Sequence, residues 1–101
     1  MDAQVLSLLK ANLQIRNNIQ DDYLNHLIET AKTRIRAEGV TLGNTTEDLQ
    51  LIEMYAAYLY RKRAGNEQGY NTEAMNPQGM PYMLRYALNN RIFSEKMRAQ
   101  S

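Results

Sequence analysis

The chain has 101 residues, 44% hydrophobic and 23% charged, with a formal net charge of +1 and no cysteine. That length supports one domain able to bury roughly 65% of its unfolded surface, while the missing cysteines exclude a disulfide framework and thiol chemistry and fit a reducing cytosolic origin. No apolar run approaches the roughly 18 residues of a membrane span and no signal-peptide core opens the chain, so a soluble, unprocessed protein with no membrane contact is expected.

Asp2 is a candidate N-cap for a first helix in which Val5, Leu6, Leu8, Leu9 and Leu13 form an apolar stripe. Gln14 to Gln20 reads as a connection, with Arg16-Asn17-Asn18 facing water and Ile15 and Ile19 expected to pin the loop to the core. The second helix opens with Asp21 and Asp22, which suit the positive N-terminal end of the helix dipole. It repeats Leu24, Leu27, Ile28, Ala31 and Ile35 at helical spacing. Arg34 and Arg36 close it near Glu38, and Gly39 fits the left-handed position that follows a helix. Thr45, Thr46, Glu47 and Asp48 supply capping hydroxyls and first-turn carboxylates for a third helix.

The third helix, Thr46 to Ala64, contains the longest apolar run, Leu51 to Tyr60, interrupted only by the charge of Glu53. It carries two stripes, Leu49, Ile52, Ala56 and Leu59 on one side and Leu51, Tyr55 and Tyr58 on another. The first stripe is expected to face the chain's own bundle and the second to be buried against a neighbouring subunit, beside Arg61 and Arg63. Gly65 to Met80, rich in Gly and Asn, reads as a long loop of the length that is functional or disordered. Pro81 then opens a last helix with Leu84, Ala87, Leu88, Ile92 and Phe93 apolar, and residues 94–101 read as a flexible basic tail. The expected fold is all-α, a small bundle of about four helices forming one domain over residues 1–93.

Chemistry is hard to find in this sequence. His26 is the only histidine, and with no cysteine a zinc site would need carboxylates that do not cluster around it, so a surface histidine is expected. Asp21 and Asp22 are better explained as dipole partners than as an acid/base pair. Gly65 and Gly69 do not sit in a phosphate-binding pattern. No catalytic, cofactor or metal residue is therefore assigned.

The net charge hides a split: residues 1–60 carry five Lys/Arg and eight Asp/Glu, net −3, and residues 61–101 carry seven and three, net +4. Such asymmetry suits nucleic acid, an acidic partner or head-to-tail self-association. DNA binding through Arg61-Lys62-Arg63 and the series Arg85, Arg91, Lys96 and Arg98 is the competing reading, as a small accessory or regulatory protein. A helix-turn-helix is disfavoured, because Gly39 to Thr45 is too long a turn and the third helix too apolar for a groove. A small toxin-antitoxin or adaptor bundle with a protein partner is a third reading.

Asp22-Tyr23-Leu24 through Leu27-Ile28, Ala31 to Ile35, Asp48-Leu49 leading into Tyr55 to Arg61, and Ala87 to Phe93 follow one another in an order that resembles the head-tail connector, or head completion adaptor, proteins of long-tailed bacteriophages. The resemblance spans nearly the whole chain, and it lies in the order, length and loop together, since each motif alone is only an amphipathic helix. It implies a non-enzymatic virion protein at the head–tail interface, assembled in the host cytoplasm as a ring, twelve-fold like the portal. Such a ring would extend the DNA channel toward a downstream stopper or tail-completion protein. The resemblance further implies portal contacts in the C-terminal segment, at Arg85, Arg91, Phe93, Lys96 and Arg98. It also implies a loop facing the channel or the next component, at Gly69, Tyr70 and Met75, although that loop is richer in Asn, Gly and Met than in many relatives.

Overall fold

A computed structural model describes residues 2–68 and 81–100. They form four helices, α1 (Asp2–Leu13), α2 (Asp21–Ala37), α3 (Thr46–Gln68) and α4 (Tyr82–Gln100), in the all-α arrangement expected. α3 is the hub: it packs against α1, α2 and α4, whereas the main helix contact of α4 is with α3 alone.

Local chemistry sets the boundaries. α1 stops where Gln14 takes a left-handed φ of 61° and the Ile15 amide donates to the Lys10 carbonyl at 2.9 Å. Lys10 then ties this corner to the next helix, donating to Asn18 Oδ1 at 2.9 Å and pairing with Asp21 at 2.8 Å. α2 ends as expected at Gly39, whose φ of 100° is open to glycine at no steric cost. α3 is capped by Thr45, whose hydroxyl accepts the Asp48 amide at 3.1 Å.

The core joins Val5 and Leu9 of α1, Leu24, Ile28, Ala31 and Ile35 of α2, Ile52 and Ala56 of α3, and Leu84 and Leu88 of α4. Four expectations are corrected. Ile19 does not pin its loop to the core: it is 87% exposed, and only Ile15 packs inward. Leu8, expected on the α1 stripe, also points largely to solvent. α3 runs through Gly65 to Gln68, because a single glycine costs only about 1 kcal/mol in a helix and the polar residues after it do not break the pattern. α4 likewise runs to Gln100 instead of giving way to a tail after Phe93, as no Gly or Pro interrupts residues 94–100. Gly69, Tyr70 and Met75 lie outside the described residues.

Candidate functional site

The third helix was expected to have surplus apolar surface, and it does not. Leu51, Tyr55 and Tyr58 are each no more than 6% exposed within the single chain, as well covered as Ile52 and Ala56 of the other stripe. The rings of Tyr55 and Tyr58 meet edge to face with centroids 5.7 Å apart, and the Lys62 ammonium lies 5.7 Å from the Tyr58 ring centre. Burial raises the Tyr55 pKa, against the nearby Arg34 guanidinium, which works to lower it. This stripe therefore leaves no excess apolar surface for a neighbouring subunit to cover. Arg61 and Arg63 are exposed further along the same helix, Arg61 donating to Asn12 Oδ1 at 2.9 Å and Arg63 lying 5.1 Å from the Tyr23 ring centre.

The surplus lies on α4. Its inner face, centred on Leu84 and Leu88, is buried. On the opposite side Tyr82, Met83, Tyr86, Phe93 and Met97 are between 53% and 76% exposed. At about 100° of rotation per residue these five fall within a sector of about 100°, diametrically across from Leu84 and Leu88. A shallow groove of about 650 Å³ continues from this face toward α3, with Leu51, Met54 and Ala87 on its floor and Glu47, Gln50 and Asn90 among its polar edges.

The arginines expected to meet an outside partner have partners already. Arg91 reaches 43 residues back in sequence to the buried Asp48 carboxylate, donates to the Thr41 carbonyl at 2.8 Å, and pairs with Glu95 at 3.1 Å. Asp48 also accepts the Gly43 amide at 2.7 Å. Burial alone would push the Asp48 carboxyl up, but the donors Arg91, Gly43 and Thr45 together outweigh it and hold its pKa below the ordinary value. The Arg91 guanidinium is correspondingly held in its charged form. Arg85 pairs with Glu38 at the end of α2 at 2.7 Å and donates to Asn89 Oδ1 at 3.2 Å. Two basic residues of the C-terminal part thus neutralise two acidic residues of the first part within one chain, and these links lock α4 against α2 and α3. Phe93 and Lys96 stay exposed, and the Arg98 side chain lies outside the described residues.

His26 is on the surface, Asp21 is held by Lys10, and no group of three or more His, Cys, Asp or Glu that could hold a metal occurs among the described residues. None of the described helices is long and apolar enough to cross a membrane. The chemistry on offer is that of a docking surface, an apolar face on a helix held in place by ion pairs.

A family model described as phage gp6-like head-tail connector protein matches residues 3–91. The chain belongs to that family. The match takes in all of α2, nearly all of α1, and α4 as far as Arg91, so both the core and the Asp48–Arg91 link fall inside it. Comparisons with curated proteins and with solved structures gave no match. The head-tail connector family is a structural one of phage particles, and this chain is a structural phage connector with an all-α fold.

Proposed function

We propose that this connector forms a ring on the portal vertex, extends the DNA channel toward the tail, and meets the portal through the outer face and end of α4. The reading is carried by the family match over residues 3–91. It is supported by the exposed apolar face of α4, since contiguous apolar patches of this size commonly mark interaction sites. The portal set proposed from sequence narrows accordingly. Phe93, Lys96 and Arg98 remain in it, joined by Tyr86 and Met97, while Arg85 and Arg91 act inside the subunit by fixing the helix that carries the others. Subunit contacts around the ring are assigned to Arg61 and Arg63, with Leu51, Tyr55 and Tyr58 supporting them from within.

The same internal pairing weakens the competing reading of a DNA-binding accessory protein, because Arg85 and Arg91 of its proposed phosphate-contacting series are paired with Glu38 and Asp48 of their own chain. Sequence-independent contact with DNA in the channel falls to Arg61, Lys62 and Lys96, all exposed. The test is to mix purified protein with portal rings over a range of ionic strengths and image the product. A layer of extra density with the portal's symmetry is expected, and failure to co-assemble under every condition overturns the proposal. A duplex titration across salt separates the alternative, which requires binding at low salt that weakens steeply as salt rises.

A further inference from the structure

We infer that the outer face of α4 is self-complementary and that the free protein pairs with a second copy of itself through it, the two α4 helices lying antiparallel. Tyr82, Tyr86, Phe93 and Met97 are spaced four, seven and four, with Asn89 and Asn90 at the centre. That spacing reads the same in both directions about a point between Asn89 and Asn90. A two-fold axis through that point sets Tyr86 of one copy against Phe93 of the other and Tyr82 against Met97. It sets Asn89 of one copy against Asn90 of the other. An isologous dimer requires just this property, that one patch be its own complement. A heterologous contact around a ring does not require it.

The amount of surface also fits. Taking about 150–250 Å² for each aromatic side chain and a similar figure for methionine, the exposed parts of Tyr82, Met83, Tyr86, Phe93 and Met97 offer about 600 Å². Two copies would then cover about 1,200 Å², above the roughly 1,000 Å² that a specific pair needs and at the small end of stable interfaces. A pair at that end of the range is reversible rather than permanent. The face points directly away from Leu84 and Leu88, so a second copy reaches it without disturbing the core. The centre of the seam is polar, and paired asparagines in an otherwise apolar helix contact fix register and orientation.

The pairing stands without the connector reading. One consequence rests on that reading: a paired α4 cannot face a portal, so the dimer would keep free subunits from assembling before a portal is present. Portal co-assembly tests the reading, and the mass of the free protein tests the pairing, so the two can fail separately.

The experiment is sedimentation equilibrium of the full chain from about 1 to 500 μM, with helicity followed by circular dichroism. The mass should rise from 11.7 kDa toward twice that value with concentration. Tyr86→Glu and Phe93→Glu, both at exposed positions, should each weaken association at least tenfold while helicity is unchanged. Because the chain has no cysteine, single cysteines report geometry directly. With helix axes about 8–10 Å apart, Asn90→Cys should oxidise to a disulfide-linked dimer. Tyr82→Cys should not, since its two copies would lie about 22 Å apart along an antiparallel pair. Mixing Tyr82→Cys with Met97→Cys should restore cross-linking. A monomer throughout the concentration range, association indifferent to both glutamate variants, or self-cross-linking of Tyr82→Cys would each overturn the inference.

Discussion

Helices α3 and α4 both carry apolar side chains on more than one side, yet only α3 has neighbours for all of them. α3 lies between α1, α2 and α4, so Ile52 and Ala56 on one stripe and Leu51, Tyr55 and Tyr58 on the other are covered within the chain. α4 sits at the edge, with Leu84 and Leu88 facing α3 and its aromatic and methionine side chains facing outward. The difference shows that a helix's apolar content does not decide whether it is an interface. Its place in the bundle does. It also shows two ways of fixing a helix: α3 is held by burial of both its apolar stripes, α4 by one buried face plus the ion pairs Arg91–Asp48 and Arg85–Glu38.

The largest effect that could break this contrast is expected in α3. Ile52 is fully buried on the helix that packs against the other three, so Ile52→Ala should cost about 3 kcal/mol, measured as a fall in the urea midpoint at unchanged slope. A cost below about 1 kcal/mol would mean that α3 is not the centre of the fold.

Next comes the anchor of α4. Asp48→Ala should cost about 2–3 kcal/mol, because it leaves the Gly43 amide and the Arg91 guanidinium without their acceptor. Combining it with Arg91→Ala should cost less than the sum of the two single losses, since both remove the Asp48–Arg91 bond, although Arg91 also gives up Thr41 and Glu95. Fully additive losses would show that the two groups act separately.

The same carboxylate gives a pH dependence whose sign follows from its lowered pKa. A carboxyl with a folded pKa below its unfolded value of about 3.9 contributes stability that is present above about pH 4. That contribution is lost as the pH falls through the folded value. Asp48→Asn cannot titrate there, so the stability gap between the natural chain and this variant should be constant from pH 7 to about pH 5 and narrow below pH 4. Urea melts at several pH values read this gap, and one that widens on acidification would contradict the assigned role.

Much of the fold is legible in the sequence because it depends on local signals. The α2 stripe, Gly39 and the Thr45 cap each carry their meaning within a few residues. The helix ends at Gln68 and Gln100 are less so: exposed polar residues neither demand nor forbid a helix, and no core contact marks where it stops. The candidate site divides the same way. The four-seven-four spacing of Tyr82, Tyr86, Phe93 and Met97 is visible in the sequence, but its exposure depends on which face of α4 meets α3. Asp48 reads locally as an ordinary first-turn acid. Its bond to Arg91, 43 residues away, exists only because the fold brings Thr41, Gly43 and the middle of α4 together. That long-range bond also turns the apparent charge asymmetry of the two halves into an internal fastening.

The smallest effect sharpens the comparison most. Met83 and Tyr86 are exposed on α4 in the same part of the molecule where Leu51 of α3 is buried, so equal truncations should have unequal results. Leu51→Ala should cost about 2 kcal/mol or more, as a buried leucine does. Tyr86→Ala should change the stability of dilute protein by about 0.5 kcal/mol or less, since it leaves no cavity and no unpaired buried group. Dilution matters here, because at high concentration any association through α4 would add to the apparent stability by mass action. The informative measurement is therefore the difference between urea midpoints at about 1 μM and about 200 μM. For Leu51→Ala that difference should match the natural chain, the loss being internal to the subunit. For Tyr86→Ala it should shrink, the loss being at the outer face. If Tyr86→Ala destabilises the dilute monomer as strongly as Leu51→Ala does, the outer face of α4 is part of the core, and the division between a helix covered by its own chain and a helix left open for another does not hold.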